Sequence, residues 1–481
     1  MIFVAWHTAL RYLRVRPRFS LFLLGLVSSL AFAPVFWWGV FIPAFSGLLY
    51  SLSHAKTLKT AALRGWWFGF GQFIGGLWWL MWAFQYSAGD YGLWAAPPLV
   101  LALCAYLALF PALAAAGWQW TRRFIPAFLH PFSLAVCWVA AEMLRGVGTF
   151  SFPWNLVGYG FAGNPLTMQL AAWGGVWGLS LVAVLAGCAF TRKSAFAVAV
   201  LVLALVYGVG YARLPHTPSP TLPLTVQLVQ GNIEQDVKWQ PHTRQLVVTR
   251  YLALSDPKAD LIVWPETAVP YLYDMAPGLF QHIARTLAPA QVVTGLPWRA
   301  WQGNTPVFTN ALGVLSQDGE PQRYDKRILV PFGEFVPLRA YLPGFIQKLA
   351  AGPSDYTPGH GTPHLKLPRV GTILPLICYE AIYPWHVARY AQDATLLLNV
   401  TNDAWFGITP GPFQHFAMAR MRAVETGLPL LRVANTGITA TIDGYGRITG
   451  EVKMYHTDTL RRLIPQHTYQ KTFFTNHLTP R

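Results

Sequence analysis

The stretch TILPLICYE, residues 372–380, decides how this chain is read. Its apolar, partly β-branched run has the character of a buried strand, and it ends on Cys378 with Tyr379 and Glu380 directly behind. Strand ends are where α/β sheets present reactive groups. Of the chain's four cysteines, Cys104, Cys137 and Cys188 lie in long apolar stretches, where a small apolar residue needs no further explanation. Cys378 is alone in the polar half, with no partner there for a disulfide. It is either a buried structural thiol or a nucleophile.

Working outward, short β-type runs recur at 226–229, 261–264, 291–294, 395–400 and 439–442, with helical patterns over 243–255 and 412–426. Strands alternating with helices predict an α/β or layered sandwich domain. A thiol nucleophile needs a base, and a developing oxyanion needs a positive or donor group. Two strand ends supply candidates. LIVWPET (261–267) places Glu266 behind a chain-redirecting proline, and YDKRILVPFGEFVP (324–337) carries Lys326 and Glu334. Taken singly, Glu266 also reads as a helix cap and Lys326 as a solvated surface charge.

The other half is a different physical object. The 481 residues are 53% hydrophobic and only 12% charged, yet residues 1–211 hold just two acidic residues, Asp90 and Glu142, beside 12 of the 36 Lys and Arg. Seven apolar stretches, near 19–34, 36–53, 66–85, 94–118, 126–144, 166–190 and 194–211, approach the roughly 20 residues needed to cross a bilayer. The net charge of +16 does not point to nucleic acid, because no basic helix, zinc knuckle or aromatic-interleaved basic stripe accompanies it. The charges instead orient the spans. Arg11, Arg14, Arg16, Arg18, Lys56, Lys59, Arg64, Arg122, Arg123, Arg192 and Lys193 all fall on one side, which is the cytoplasmic one. Seven crossings from a cytoplasmic N-terminus put residue 212 onward outside the cytoplasm. The expected organisation is a transmembrane bundle over 1–211 and an extracytoplasmic domain over 212–481.

Within the bundle, Gly65, Gly69, Gly71, Gly75 and Gly76, and again Gly174, Gly175 and Gly178, are expected at close helix contacts. Glu142 and Arg145 stand three residues apart on one helical face, either as a functional pair or as an anchor. The aromatic loop Ser151–Tyr159 fits a lipid headgroup site or an ordinary aromatic belt.

The ordered motifs WPE, YDKR with LVPFGEFVPL, and ICYE resemble the nitrilase, or carbon–nitrogen hydrolase, superfamily with its Glu-Lys-Cys triad. With a membrane bundle in front, the chain resembles that superfamily's membrane branch, the apolipoprotein N-acyltransferase family. Further matches are LVQGNI (228–233) leading to Trp239, NVTNDAWFG (399–407), Gln414-His415 with Arg422, and RVANTGITATIDGYG (432–446). The resemblance implies a multi-pass α-helical membrane bundle plus an α/β nitrilase-like αββα sandwich. It implies Glu266 as general base, Lys326 as oxyanion stabiliser and Cys378 as acyl carrier. Glu334 and Glu380 match supporting carboxylates, and Trp239 and Tyr379 match positions lining the acyl and lipid region. It further implies a phospholipid donor, with phosphatidylethanolamine the expected one, a diacylated apolipoprotein acceptor, and no metal or organic cofactor. The expected enzyme is a monomer in the bacterial inner membrane with its catalytic domain on the periplasmic side.

One departure concerns the end of the chain. The family closes with a further membrane helix, whereas residues 452–481 are polar with no apolar run of that length, so the final anchor is expected to be missing or the reading frame to change near 450. Two other functions compete with acyl transfer. A membrane-anchored amidase or nitrilase would share the triad but use water as acceptor. A non-enzymatic scaffold would have lost a triad member, and none is lost.

Overall fold

The computed structural model describes residues 12–86, 92–341, 348–349, 355–466 and 472–477; Arg11, Asp90 and parts of the polar tail lie outside them. The chain forms two compact units, Met1–Met81 with Leu93–Leu214, and Trp82–Gly92 with Pro215–Arg481.

In the first unit, helices occupy all seven apolar stretches. Among the described residues four are long and apolar enough to cross a membrane: Trp94–Thr121, Ala127–Arg145, Ala171–Thr191 and Lys193–Arg213. Pro17–Ala31 and Trp38–Ser53 are shorter apolar helices. Phe196, Val200, Leu201 and Leu205 on the last long helix remain exposed, a surface suited to lipid rather than water.

Local chemistry moves several boundaries. The third stretch, expected over 66–85, is helical from Leu58 to Leu77 and then tightens into a 3-10 segment, Trp78–Tyr86. It starts early because Thr57 Oγ1 caps it, accepting from the Thr60 amide at 3.1 Å. The fourth breaks at Ala108 between Gly92–Leu107 and Leu109–Thr121, where Pro111 has no N–H to return to the Leu107 carbonyl. A Cβ on Gly25 would run into the Phe68 carbonyl, and one on Gly71 into the Phe22 carbonyl, so these two helices pack backbone to backbone. The expectation fails at Gly174 and Gly178, which face open space. There the glycine that matters is Gly175, whose φ of 61° kinks the helix Ala171–Gly187. Glu142 and Arg145 both turn onto the aromatic loop. Glu142 accepts from the Val157 amide at 2.7 Å, and Arg145 donates to the Phe152 and Trp154 carbonyls at 3.1 and 2.7 Å. The pair tethers that loop into the bundle.

The second unit is built on two six-stranded sheets. The first contains β1 (Thr221–Gln230), β2 (Leu261–Val263), β3 (Gln291–Gln302), β4 (Thr305–Val314), β5 (Gln322–Asp325) and β12 (Asp458–Pro465) in the order β12-β1-β2-β3-β4-β5. The second contains β6 (Leu365–Leu367), β7 (Gly371–Ile377), β8 (Leu396–Thr401), β9 (Leu430–Ala434), β10 (Thr439–Ile442) and β11 (Ile448–Val452) in the order β11-β10-β9-β8-β7-β6. Each has a parallel centre, β1-β2-β3 and β7-β8-β9, with antiparallel strands outside it.

Period-two alternation explains the layering. Val226, Leu228, Leu261, Val263, Ile373, Ile377, Leu396 and Leu398 point between the sheets and form one core. Their neighbours Val229, Ile262 and Val292 point outward onto Val247, Val248, Phe280 and Ile283 of the helices Arg244–Leu254 and Pro277–Thr286. On the far side, Leu374, Leu376, Leu397 and Leu430 meet Val387, Phe416, Ala419 and Ala423 of the helices Pro384–Tyr390 and Pro410–Thr426. The result is the αββα sandwich. Part of the polar tail completes it, because β12 pairs antiparallel with β1 from Thr221↔Pro465 to Gln230↔Asp458. Its exposed Arg461 and Arg462 blunt the sheet edge against further pairing.

Candidate active site

Three strand ends converge. Glu266 follows β2, Lys326 follows β5 and Cys378 follows β7, and all three side chains are buried. At Cys378 the backbone turns into the left-handed region, with φ of 51°. A non-glycine residue held there costs about 1–3 kcal/mol and persists only where its surroundings enforce it.

Glu380 supplies much of that enforcement. One of its oxygens accepts from the Ile377 amide at 2.7 Å. The other accepts from the Arg327 amide at 2.7 Å and the Tyr324 hydroxyl at 2.8 Å, with the Ile328 amide at 3.3 Å. This fully buried carboxylate thus staples the cysteine turn to the exit of β5, where Lys326 stands. Burial raises its pKa to about 7, although the donors around it pull the other way. Tyr379 is buried beside it and packs edge-on against Tyr383, ring centroids 5.2 Å apart.

Lys326 lies between two carboxylates. Its Nζ is 2.9 Å from Glu334 and 3.5 Å from Glu266 Oε1. Asn310, in the middle of β4, bridges the same pair: Nδ2 donates to Glu266 Oε1 at 2.7 Å and to Glu334 Oε1 at 3.0 Å. Glu334 is fixed further by the Val330 amide at 2.9 Å, and Glu266 Oε2 accepts from the Asn402 amide at 2.9 Å, which joins the first sheet to the exit of β8. Burial alone would pull the Lys326 ammonium down, but the Glu334 and Glu266 carboxylates outweigh it and hold the lysine above its ordinary range. The lysine therefore stays charged.

The thiol is pushed the other way. Burial, then the Glu266 charge, raises the Cys378 pKa well beyond that of a free thiol, with Lys326 opposing. Such a thiol is neutral at rest and needs a base at the moment of attack. The cluster holds the required parts: a thiol, carboxylates beside it and a fixed positive charge acting on the sulfur.

Trp239 is half-buried one residue beyond Lys238 and is linked to the cluster through its neighbours. Lys238 Nζ donates to the Glu266 carbonyl at 3.1 Å, and Gln235 Oε1 accepts from Asn402 Nδ2 at 2.6 Å. Burial lowers the Lys238 pKa to about 8, with Glu266 opposing. Sequence reading missed Asn310 and Lys238, and it held Tyr324 and Asn402 within the YDKR and NVTNDAWFG motifs without assigning them a role. The signal for Asn310 was present as a buried amide directly before the apolar run Ala311–Val314 of β4.

Comparison with known proteins follows the same division. A family model described as "Apolipoprotein N-acyltransferase N-terminal domain" matches residues 24–189, and one described as "Carbon-nitrogen hydrolase" matches residues 209–472. An "Apolipoprotein N-acyltransferase" of Brucella melitensis is 38% identical over 469 residues, covering 91% of this chain and 85% of that protein. One of Pseudomonas putida is 37% identical over 451 residues, covering 90% of this chain and 87% of that protein. Among solved structures, a CN-hydrolase superfamily protein from Xanthomonas campestris is 20% identical, covers 50% of this chain and 90% of its own, and has a TM-score of 0.38.

Proposed function

The chain belongs to the apolipoprotein N-acyltransferase family, and from that membership we propose that Cys378 carries an acyl chain from a phospholipid to the N-terminal amine of a diacylglyceryl-modified apolipoprotein. The observation that carries this reading is the buried Glu266–Lys326–Glu334 cluster at the end of the cysteine strand, with Lys326 3.5 Å from Glu266.

In the first half reaction Glu266 takes the thiol proton as sulfur attacks the ester carbonyl of the phospholipid, and Lys326 stabilises the negative oxygen. The tetrahedral intermediate collapses by breaking the carbon–oxygen ester bond. The departing lysophospholipid takes the proton from Glu266, and the acyl chain remains on Cys378 as a thioester. In the second half the apolipoprotein amine attacks that thioester, its proton passes to Glu266, and the carbon–sulfur bond breaks. The proton returns to the sulfur, and the amide product leaves. Because the acyl chain rests on the enzyme between substrates, the kinetics are ping-pong.

Glu334 keeps Lys326 placed and charged, Glu380 fixes the cysteine turn, and Tyr379 and Trp239 line the path of the acyl chains. The apolar bundle fits a reaction in which both substrates are lipids. Phosphatidylethanolamine as donor, a monomeric enzyme, residence in the bacterial inner membrane and a periplasmic catalytic domain complete the proposal. The placement rests on the one-sided basic loops of the first 211 residues.

The test supplies detergent-solubilised protein with acyl-labelled phosphatidylethanolamine and a synthetic lipopeptide whose N-terminal cysteine bears a diacylglyceryl group. Label is expected on the lipopeptide amine, with parallel double-reciprocal lines. Hydrolysis of a small soluble amide without any lipid-to-peptide transfer would replace this function with that of an anchored amidase.

A further inference from the structure

Behind the cysteine turn lies a second buried polar network that the chemistry above does not use. His415, on the helix Pro410–Thr426, is 1% exposed, and Asp403 and Arg432 are fully buried. His415 Nδ1 is 2.8 Å from Asp403 Oδ1, and His415 Nε2 is 3.1 Å from the main-chain carbonyl of Cys378. Asp403 is held in turn by Arg432 Nη2 at 2.7 Å and by the Thr401 hydroxyl at 3.0 Å. Arg432 also reaches Asn399, and its Nη2 passes 3.4 Å from His415 Nδ1.

A carbonyl oxygen can only accept, so Nε2 carries a proton and donates to Cys378. Asp403 Oδ1 lies 2.8 Å from Nδ1 on the other side of the ring, so the imidazole is fixed at both ends. That carbonyl belongs to the peptide joining Cys378 to Tyr379, a planar unit whose C=O and N–H point in opposite directions. Clamping the oxygen therefore fixes the plane that follows Cys378, a residue whose backbone sits at a strained φ of 51°.

We infer that His415 is a positioning residue for the nucleophile: its Nε2–H holds the Cys378–Tyr379 peptide and so aims the Cys378 thiol. This rests on Cys378 being the acyl carrier proposed above. Asp403 and Arg432 orient the imidazole.

Two substitutions separate the two ends of the ring. His415→Gln places an amide nitrogen where Nε2 was and keeps the bond to Cys378. His415→Asn places one where Nδ1 was, keeps the bond to Asp403 and leaves the Cys378 carbonyl unpaired. Both are read by the single-turnover rate of Cys378 acylation from labelled phosphatidylethanolamine, per mole of monodisperse full-length protein in detergent, with Cys378→Ala as control. At saturating lipid, H415N is expected to be slower by about 10²-fold and H415Q to stay within about 5-fold of wild type, with half-saturating lipid unchanged. Equal rates in the two variants, whether both fast or both slow, or an effect confined to half-saturation, would overturn the inference. Label retained by C378A would remove the nucleophile assignment and this inference together, whereas label lost in C378A with equal Gln and Asn rates removes this inference alone.

Discussion

Replacing Lys326 with methionine keeps the stem and removes the charge, and the structure says what should follow. At an effective dielectric of about 20, an ammonium at these separations gains roughly 5 kcal/mol from each carboxylate, against a desolvation cost of several kcal/mol per buried ion. The separations are 2.9 Å to Glu334 and 3.5 Å to Glu266. Without the lysine, two carboxylates bridged by the single Asn310 amide face each other as like charges. Breaking a buried pair from one side costs about 3–5 kcal/mol of stability. Losing an oxyanion donor costs about 10²–10³-fold in rate. The two losses separate in the double variant K326M/E334Q, which removes one of the stranded charges. Tryptophan-monitored thermal unfolding is expected to recover most of the stability, while thioester formation stays depressed. If acyl transfer recovers together with stability, Lys326 is a structural counter-ion and its oxyanion role is refuted.

Two further outcomes follow from the same site. A Cβ on Gly295 would lie 2.7 Å from Glu266 Cα and 2.7 Å from the Pro265 carbonyl, so Gly295→Ala must push the base aside. Its acylation rate should fall by about 10²-fold, for a stability loss of only about 1–3 kcal/mol. Glu380 gives a pH signature, because its pKa rises from 4.5 in the unfolded chain to about 7 when folded. Its contribution, about 3 kcal/mol, is present in full below the unfolded value and is lost as pH rises through the folded one. Wild-type stability measured relative to Glu380→Gln should therefore fall from pH 4.5 to pH 7, and a flat difference would mean that the carboxyl is not desolvated as the structure indicates.

Much of the site was legible because two of the three triad motifs are apolar runs that stop at a reactive residue, Val263 before Trp-Pro-Glu266 and Ile377 before Cys378, whereas Lys326 follows the polar strand Gln322–Asp325. The apolar run carries the strand, and the break in it carries the chemistry. What stayed hidden shares a physical cause. Asn310 sits within β4, where it interrupts the hydrophobic pattern that marks a strand, and Arg432, although it opens the motif RVANTGITATIDGYG, sits within β9 with nothing in that pattern to give its role. Their partners are distant in sequence, Asn310 bridging to Glu266 and Arg432 to Asp403. Strand β12 was hidden for another reason, because an edge strand with Arg461 and Arg462 exposed resembles a polar tail. In the bundle, composition marked the apolar stretches but not the Thr57 cap or the Gly175 kink, which single backbone positions decide.

The central claim is that Cys378 holds the acyl chain between donor and acceptor. The most direct test incubates the protein with phosphatidylethanolamine alone, quenches in acid and weighs the Cys378 peptide by mass spectrometry. The account predicts a fatty-acyl mass on Cys378 that hydroxylamine removes, with one lysophospholipid released per acylated enzyme. Lysophospholipid released with no acyl group on Cys378, or an acyl group found on another residue, would contradict it.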